Sequence, residues 1–247
     1  LWGRDYLPAG ILVGLLFAAE FFLVAQALRF TSAAHTVVLL YTAPIFVALG
    51  LHWKLASERL SLIQWLGIAC AFFGIVIAFL FRPSASQAAV SSALWGDALA
   101  LLAGVLWAAT TIAVRLTKLA EAPATQTLFY QLFIAFLVLL PVAFFMEQAT
   151  IHWSVLSVTS LLFHTVVVSF TSYLIWFWLL KKYLASQLGV FSFLTPIFGM
   201  CFGVVFLNEQ LELNFLLGTC FVLMGVVVVS LHHKIKQYVQ AFKMALQ

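Results

Sequence analysis

Eight long apolar runs, separated by short polar segments, are the feature that most limits what this chain can fold into. An α-helix needs about 20 mostly apolar residues to cross a bilayer, and each run is close to that length. Because lipid offers no hydrogen-bond partners, such runs must satisfy their backbone groups as helices. We therefore predict an all-α polytopic membrane protein. Its eight transmembrane helices are expected at 8–30, 33–53, 61–81, 97–116, 124–146, 155–180, 185–207 and 214–231.

Composition excludes an ordinary soluble domain. Charged residues make up 8% of the chain and hydrophobic residues 65%, whereas soluble domains carry about 25% charged residues. The net charge of +4 does not indicate a nucleic-acid partner, because the basic residues lie between the apolar runs, where membrane topology explains them. The three cysteines lie inside apolar runs and predict neither a disulfide nor a metal site. No cofactor is expected.

The basic residues predict an orientation. If the eight spans alternate in direction, ten of the twelve lysines and arginines lie on the side that holds both chain ends. Only Arg29 and Arg82 lie on the other side. The positive-inside rule then places both ends in the cytoplasm. We expect a multi-pass protein of the cell inner membrane.

A block of sequence occurs twice, at 44–74 and at 196–225. Each copy starts at a proline and contains a glutamate, Glu58 or Glu209, followed by glycines nine and sixteen residues later. On the predicted topology the two glutamates lie on opposite membrane faces, so the copies are inverted. Inverted repeats are typical of transporters, which place the substrate site where the repeats meet.

The repeat also predicts the domain organisation. Inverted units need an odd number of helices, and the second unit, 97–232, has five, whereas the first, 1–82, has three. We expect two further helices, about 55 residues, to precede residue 1 in a ten-helix, five-plus-five fold. Residues 83–96 are predicted to be the inter-repeat loop. Residues 233–247 are predicted to form a basic amphipathic helix on the inner leaflet, and a frayed polar tail is the alternative.

Several short motifs resemble the drug/metabolite transporter superfamily, EamA-like branch. They are Ala-Leu-Arg-Phe-Thr-Ser-Ala-Ala at 27–34, Thr-Ala-Pro at 42–44, Glu-Arg-Leu at 58–60, Leu-Trp-Gly-Asp-Ala-Leu-Ala at 94–100, Leu-Trp-Ala at 106–108, Leu-Thr-Pro at 194–196 and Asn-Glu at 208–209. The resemblance implies ten helices in two inverted five-helix units. It also implies secondary transport or export of small metabolites such as amino acids.

Glu20 is the first candidate for the transport chemistry. It lies near the middle of the first apolar run, roughly 18 Å from Pro8 at 1.5 Å per residue. A carboxylate at that depth is costly and usually faces a cavity or a partner. One interpretation is a proton-coupling or substrate-amine site. The other is a permanently protonated acid that is hydrogen-bonded to a neighbouring helix. Both stay open.

Aromatic and hydroxyl side chains near mid-span could line a cavity that is mostly apolar with a few polar groups. This lining suits a small amphiphilic solute better than an ion or a sugar phosphate, which would require arginines at depth. The stripe Thr165, Ser169, Ser172 and Trp176 and the face of small residues around Gly189 suggest two of its walls. The candidates are Tyr41, Thr42, Trp107, Thr110, Ser169, Ser172, Trp176 and Ser192.

Three further polar residues have two interpretations each. His35 and Gln187 each precede a proline by nine residues, and they are either gate residues at opposite mouths or caps of their helices. His164 either shuttles protons or is a satisfied core residue.

The two prolines of the repeat, Pro44 and Pro196, are expected to kink their helices and to leave a backbone carbonyl unpaired, at Leu40 and Ser192. Glu58 and Glu209 are expected to complement the positive ends of helix dipoles.

We therefore predict a secondary transporter that moves a small metabolite, an amino acid or a related amphiphilic compound, with export favoured. Its partners would be that solute, the bilayer and, as a candidate coupling ion, protons. Uptake of a nucleoside-like metabolite and a non-transporting scaffold subunit are the alternatives, and a mid-depth chamber would favour the carrier. An enzyme is not expected, because the chain has no His-Glu-x-x-His, Gly-x-Ser-x-Gly or phosphate-binding glycine loop.

Overall fold

The structure is a computed structural model. It describes residues 5–31, 33–80, 90–150 and 153–195, and beyond these 197, 198, 202, 205, 213, 214 and 216–229. Within these residues all regular structure is helical. The helices are α1 Leu7–Ala27, α2 Ala33–Leu40, α3 Ala43–Lys54, α4 Leu62–Leu80, α5 Val90–Leu116, α6 Ala124–Phe145, α7 Val155–Phe163, α8 Tyr173–Lys182, α9 Ala185–Ser192 and α10 Leu216–Val229. Two 3-10 turns lie at Ala56–Glu58 and Lys118–Ala120.

Five helical segments are long and apolar enough to cross a membrane within the part of the chain that the structure describes. They are Leu7–Ala27, Thr36–Lys54, Ala93–Leu116, Ala124–Phe145 and Val155–Lys182, and two shorter apolar helices lie at Leu62–Ile77 and Leu216–Val229. The prediction of an all-helical, multi-pass membrane protein is therefore confirmed. The predicted run 185–207 is described as a helix over Ala185–Ser192, so the count of eight stays a prediction.

The second span is interrupted next to Pro44. α2 ends at Leu40 and α3 begins at Ala43, so Tyr41 and Thr42 form a break in the helix. Since proline has no N–H, the Leu40 carbonyl receives no bond from residue 44, and this carbonyl lies against Gly104 of α5. The Thr42 hydroxyl donates to the Leu39 carbonyl at 2.6 Å. Pro196, the corresponding position, lies outside the described residues.

α5 begins earlier than the sequence indicates. We predicted a loop over 83–96 and a helix from residue 97, whereas α5 starts at Val90. Gly96, the last residue of the predicted loop, lies inside α5, where a Cβ would come within 2.8 Å of the Thr31 backbone. The glycine therefore permits close packing of α5 on the end of α1, and the Thr31 hydroxyl donates to Asp97 at 2.6 Å.

Glycines bring several helix pairs into close contact, as is common in membranes. Gly10 and Gly14 of α1 pack against Tyr130 and Ile134 of α6. In α4, Gly67 faces the Gly225 carbonyl of α10. Two helical turns away, Gly74 faces the Gly218 carbonyl, so α4 and α10 run antiparallel. Gly189 of α9 contacts Pro44 of α3, so this part of the small-residue face packs on a helix, whereas Ser192 of the same face lies on the cavity described below.

The span 155–182 contains a feature that the sequence did not indicate. A nine-residue π-helical segment, His164–Ser172, joins α7 to α8. Neither α7 nor this segment buries any residue. The bonding partner in a π-helix is five residues away instead of four, so side chains rotate away from the positions that a regular α-helical stripe predicts.

Candidate functional site

A cavity of about 520 Å³ lies among α1, the Tyr41–Thr42 break, α5, α6, the π-helical segment, α8 and α9. Small-molecule sites in proteins typically enclose ~300–1,000 Å³. Seven of the residues predicted to bind substrate or couple transport line it: Glu20, Tyr41, Trp107, Thr110, Ser172, Trp176 and Ser192. These side chains come from α1, the Tyr41–Thr42 break, α5, the π-helical segment, α8 and α9, and their role in binding stays a prediction.

Other predicted residues do not line this cavity. Thr42 is buried against Gly104. Ser169 does not line the cavity, whereas its neighbour Val168 does. The wider turn of the π-helix rotates the side chains of the predicted stripe. His164 is exposed, which corrects its interpretation as a core residue, and Gln187 is half-buried outside the lining. The side chain of His35 lies outside the described residues.

Glu20 is buried, with 7% of its surface exposed. Its neighbour Phe17 packs edge-on against Tyr173, with ring centroids 5.4 Å apart. No hydrogen bond or ion pair joins the Glu20 carboxylate to another residue of the described chain. An ionised carboxyl group in such surroundings is costly unless it is paired. Glu20 therefore requires either a proton or a cationic partner.

Gln131 of α6 is a cavity residue that the sequence reasoning missed. It is 3% exposed, and its Oε1 atom has no hydrogen-bond partner within the described structure. Its neighbour on the same helix, Gln126, instead donates to the Tyr130 hydroxyl at 3.3 Å. Like Glu20, Gln131 is a polar residue inside an apolar run, which is costly in a membrane, and this was the signal in the sequence that could have identified it.

Aromatic rings form much of the cavity wall. Tyr41 packs edge-on against Trp107 with centroids 5.5 Å apart, and its side chain is hydrogen-bonded to Thr195. Tyr173 and Thr195 also line the cavity and were not predicted. No lysine, arginine or histidine is found among the lining residues that the structure describes. The lining thus combines aromatic faces, hydroxyl groups, an amide and one carboxyl group.

Glu58 forms a second polar site, which we call the Glu58 cluster: Glu58, Arg115, Leu180, Ala185 and Ser186. The Glu58 side chain is fully buried. Its Oε1 accepts from Arg115 Nη2 at 2.6 Å and from the Ala185 N–H at 3.0 Å. Its Oε2 accepts from the Ser186 hydroxyl at 2.6 Å and from the Ser186 N–H at 3.2 Å. Arg115 Nη1 donates to the Leu180 carbonyl at 2.7 Å.

These bonds correct the partner expected for Glu58. Capping was anticipated, but the carboxylate caps α9, far along the chain, and not the helix that follows it. Burial by itself would raise the pKa of Glu58. The bonds from Ser186, Arg115 and the two backbone N–H groups outweigh burial and lower that pKa.

The Glu58 cluster adjoins one end of the cavity. On α5, the lining residue Thr111 precedes Arg115 by one helical turn, about 5.4 Å. On α8, lining Leu179 is next to Leu180, and on α9 lining Leu188 follows Ser186 by two residues. Three helices and the turn after α3 are therefore held together just beyond the cavity.

Comparison with known proteins gives a consistent assignment. The model of the EamA-like transporter family matches residues 2–80 and 94–231. The chain is 26% identical to the uncharacterized transporter YoaV of Bacillus subtilis, over 90% of this chain and 75% of the relative. It is 26% identical to a probable amino-acid metabolite efflux pump of Salmonella typhimurium, over 91% of this chain and 78% of the relative.

A solved crystal structure has a similar fold. It superposes with a TM-score of 0.78 at 18% sequence identity, covering 94% of this chain and 79% of the other. At this identity the likeness concerns the fold alone.

Proposed function

The chain belongs to the EamA-like transporter family, and on this premise we propose that it is a secondary transporter that exports a small amphiphilic metabolite, an amino acid or a related compound, by alternating access. Membership confirms the resemblance noted in the sequence. It makes the chain a membrane transporter and not an enzyme.

The cavity is the observation that carries this proposal. A scaffold subunit can fill its centre with side chains, whereas a carrier needs a chamber that a solute can occupy. The 520 Å³ cavity combines aromatic walls with a few polar groups, among them Glu20, Gln131 and Ser192. This composition suits an amphiphilic solute. The name of the Salmonella relative supports a metabolite related to amino acids, and supports export.

We further propose that two inverted units, 1–82 and 97–232, surround this cavity within a ten-helix, five-plus-five arrangement. The packing of α4 on α10 supports this. Gly67 faces Gly225, and Gly74 faces Gly218. Replacing each glycine by its counterpart 151 residues away in the other copy of the repeat (Gly67 by Gly218 and Gly225 by Gly74) converts one contact into the other, as a two-fold axis between antiparallel helices requires. Such an axis in the membrane plane relates inverted repeats.

In this proposal the Glu58 cluster holds the cavity closed at one end. The basic residues near it, Lys54, Arg59, Arg115 and Lys118, favour the cytoplasmic side by the positive-inside rule. Both chain ends would then be cytoplasmic, in the inner membrane of a bacterial cell. Opening toward the cytoplasm would require Glu58 to release α9. Protons are the proposed coupling ion, with Glu20 as the group that binds them.

Reconstitution tests the proposal. Purified protein in proteoliposomes is offered a panel of amino acids, amines and nucleoside-like metabolites, with and without an imposed proton gradient. We expect saturable flux of an amphiphilic solute that the gradient accelerates. We also expect Glu20→Gln to abolish the gradient-driven part. If flux is absent for the whole panel, the transport assignment of this cavity is wrong. If gradient-driven flux survives Glu20→Gln, Glu20 is structural.

A further inference from the structure

Resting on the proposed transport function, and narrowing its substrate from amino acids to the related amines, we propose that the cavity selects an organic cation over a zwitterion. The ligand is a protonated amine with an aromatic or otherwise apolar body and without a carboxylate. Its ammonium group pairs with Glu20, its apolar body lies along the aromatic wall, and a hydrogen-bond donor on it reaches Gln131.

The charge of the cavity lining favours a cation. Glu20 is a buried carboxyl group without an ionic partner in the described chain, and the described lining residues include no basic side chain. A buried charge is tolerated when an opposite charge neutralises it. Within the described structure no group neutralises an ionised Glu20, so that role falls to a proton or to the ammonium group of a ligand.

Three of the seven hydroxyl groups in the lining also favour a cation. Thr110 donates to the Leu106 carbonyl at 3.0 Å, Ser172 to the Val168 carbonyl at 2.7 Å, and Ser192 to the Gly189 carbonyl at 2.6 Å. Each hydroxyl has one proton, so these three groups offer the cavity lone pairs and no donor. Lone pairs stabilise an ammonium group and repel a carboxylate.

The amide and the rings complete the site. Gln131 lines the cavity, and its buried Oε1 atom has no hydrogen-bond partner in the described structure; turning the amide toward a ligand donor would recover the free energy that the unpaired acceptor costs. Trp107, Trp176 and Tyr173 present aromatic surface, which attracts cations through the ring quadrupole. An amino acid would gain the same contacts for its ammonium group and side chain, but its carboxylate would be buried next to Glu20 and these acceptors without a counter-charge.

Three probes that share a phenyl ring isolate this selectivity: 2-phenylethylamine, L-phenylalanine and 3-phenylpropanoate. They carry, respectively, the ammonium group alone, both charges, and the carboxylate alone. Binding is measured on the full chain in nanodiscs at neutral pH, by equilibrium dialysis of labelled amine and by competition. We expect 2-phenylethylamine to bind at least about tenfold more tightly than L-phenylalanine, a difference of ~1.4 kcal/mol. We expect no competition from 3-phenylpropanoate.

Variants assign the selectivity to Glu20. Glu20→Gln keeps the shape and removes the charge, and we expect it to weaken amine binding at least about tenfold. Glu20→Asp keeps the charge and should retain the preference for the amine, which also establishes that position 20 can be changed without loss of folding. Glu121→Gln, an exposed glutamate outside the lining, is the matched control and should bind like the wild type. The proposal is overturned if phenylalanine binds as tightly as the amine, if amine binding survives Glu20→Gln, or if the amine does not bind.

Flux measurements separate this inference from the proposed function. If L-phenylalanine crosses the proteoliposome membrane and 2-phenylethylamine does not, the transporter assignment stands and the cation selectivity is wrong. If the amine binds with the expected dependence on Glu20 but no solute in the panel moves, the cation site stands and the transport function fails.

Discussion

Among single residues, Gln131 lowers the stability of the folded protein. Its buried Oε1 has no partner in the described structure, and an unsatisfied buried acceptor costs about 1–3 kcal/mol. Gln131→Leu should therefore raise the melting temperature of the detergent-solubilised protein, because it removes that acceptor. The same change should reduce ligand binding. Functional sites commonly show this opposition between stability and activity.

Gln126→Leu is the matched control for Gln131. Gln126 lies on the same helix and is similarly buried, but its amide donates to Tyr130. Removing it deletes a satisfied hydrogen bond, so no stabilisation is expected. If Gln131→Leu lowers the melting temperature as much as Gln126→Leu, the Gln131 amide is satisfied in the protein and is not reserved for a ligand.

Glu58 predicts a pH dependence of stability. Its hydrogen bonds to Arg115, Ser186 and the start of α9 lower its pKa in the folded state, so the unfolded chain binds its proton more readily, with a pKa of about 4.3. The stabilisation is therefore complete above the unfolded pKa and is lost as the pH falls through the lower folded pKa. The melting temperature of the wild type should exceed that of Glu58→Gln at pH 7, and the difference should shrink below about pH 4.

Glu121→Gln, measured in parallel, again provides the control, because Glu121 is exposed and lies outside the Glu58 cluster. If the melting temperatures of wild type and Glu58→Gln differ by the same amount across this pH range, folding does not lower the pKa of Glu58.

Among the helices, the sequence predicted which segments are apolar enough to cross a membrane but not how each one is wound. The proline in α3 predicted a disturbance near Pro44, and the break lies at Tyr41–Thr42. The π-helical segment His164–Ser172 was not predicted, because the sequence of an apolar run does not reveal whether the backbone bonds four or five residues apart. That winding is why Ser172 and Trp176 line the cavity and Ser169 does not.

The close packing of α4 on α10 at their glycines can be tested by substitution. In Gly74→Ala the new Cβ would lie 2.5 Å from the Gly218 carbonyl oxygen, which belongs to rigid backbone. In Gly50→Ala it would lie 2.5 Å from Ile112 Cδ1, the end of a flexible side chain that can move aside. We expect Gly74→Ala to destabilise the protein by about 1–3 kcal/mol, the usual cost of overpacking, and Gly50→Ala to have little effect.

Thermal melting of both variants in the same detergent tests this expectation. Equal stabilities would mean that α4 and α10 can separate freely at their glycines, and the two-fold contact would then lose its structural importance.

For the whole molecule, the sequence predicted much of the architecture and only part of the site. The long apolar runs were sufficient to indicate a polytopic helical protein, because the length and composition of each run can be read from that run alone. Seven predicted residues do line the cavity, yet Gln131 and Tyr173 were missed. The partners of Glu58 were also missed, since Arg115 and Ser186 are 57 and 128 residues away along the chain. Contacts at such separations depend on how the helices pack, and this packing cannot be read from the sequence of a single apolar run.

The Glu58 cluster allows a test of alternating access in the molecule as a whole. If the cavity opens at this end, the turn after α3 must separate from the start of α9, which Glu58 and Ser186 now join at 2.6 Å. The double variant Glu58→Cys and Ser186→Cys, in a background with Cys70, Cys201 and Cys220 replaced by serine, can be linked by a short thiol-specific cross-linker. We expect cross-linking to abolish flux in proteoliposomes and a reducible linker to restore it on reduction.

The Ser186→Cys single variant, treated identically, should keep its flux. Unimpaired flux through the cross-linked protein would require the cavity to open elsewhere, because these two elements would then stay together throughout the cycle.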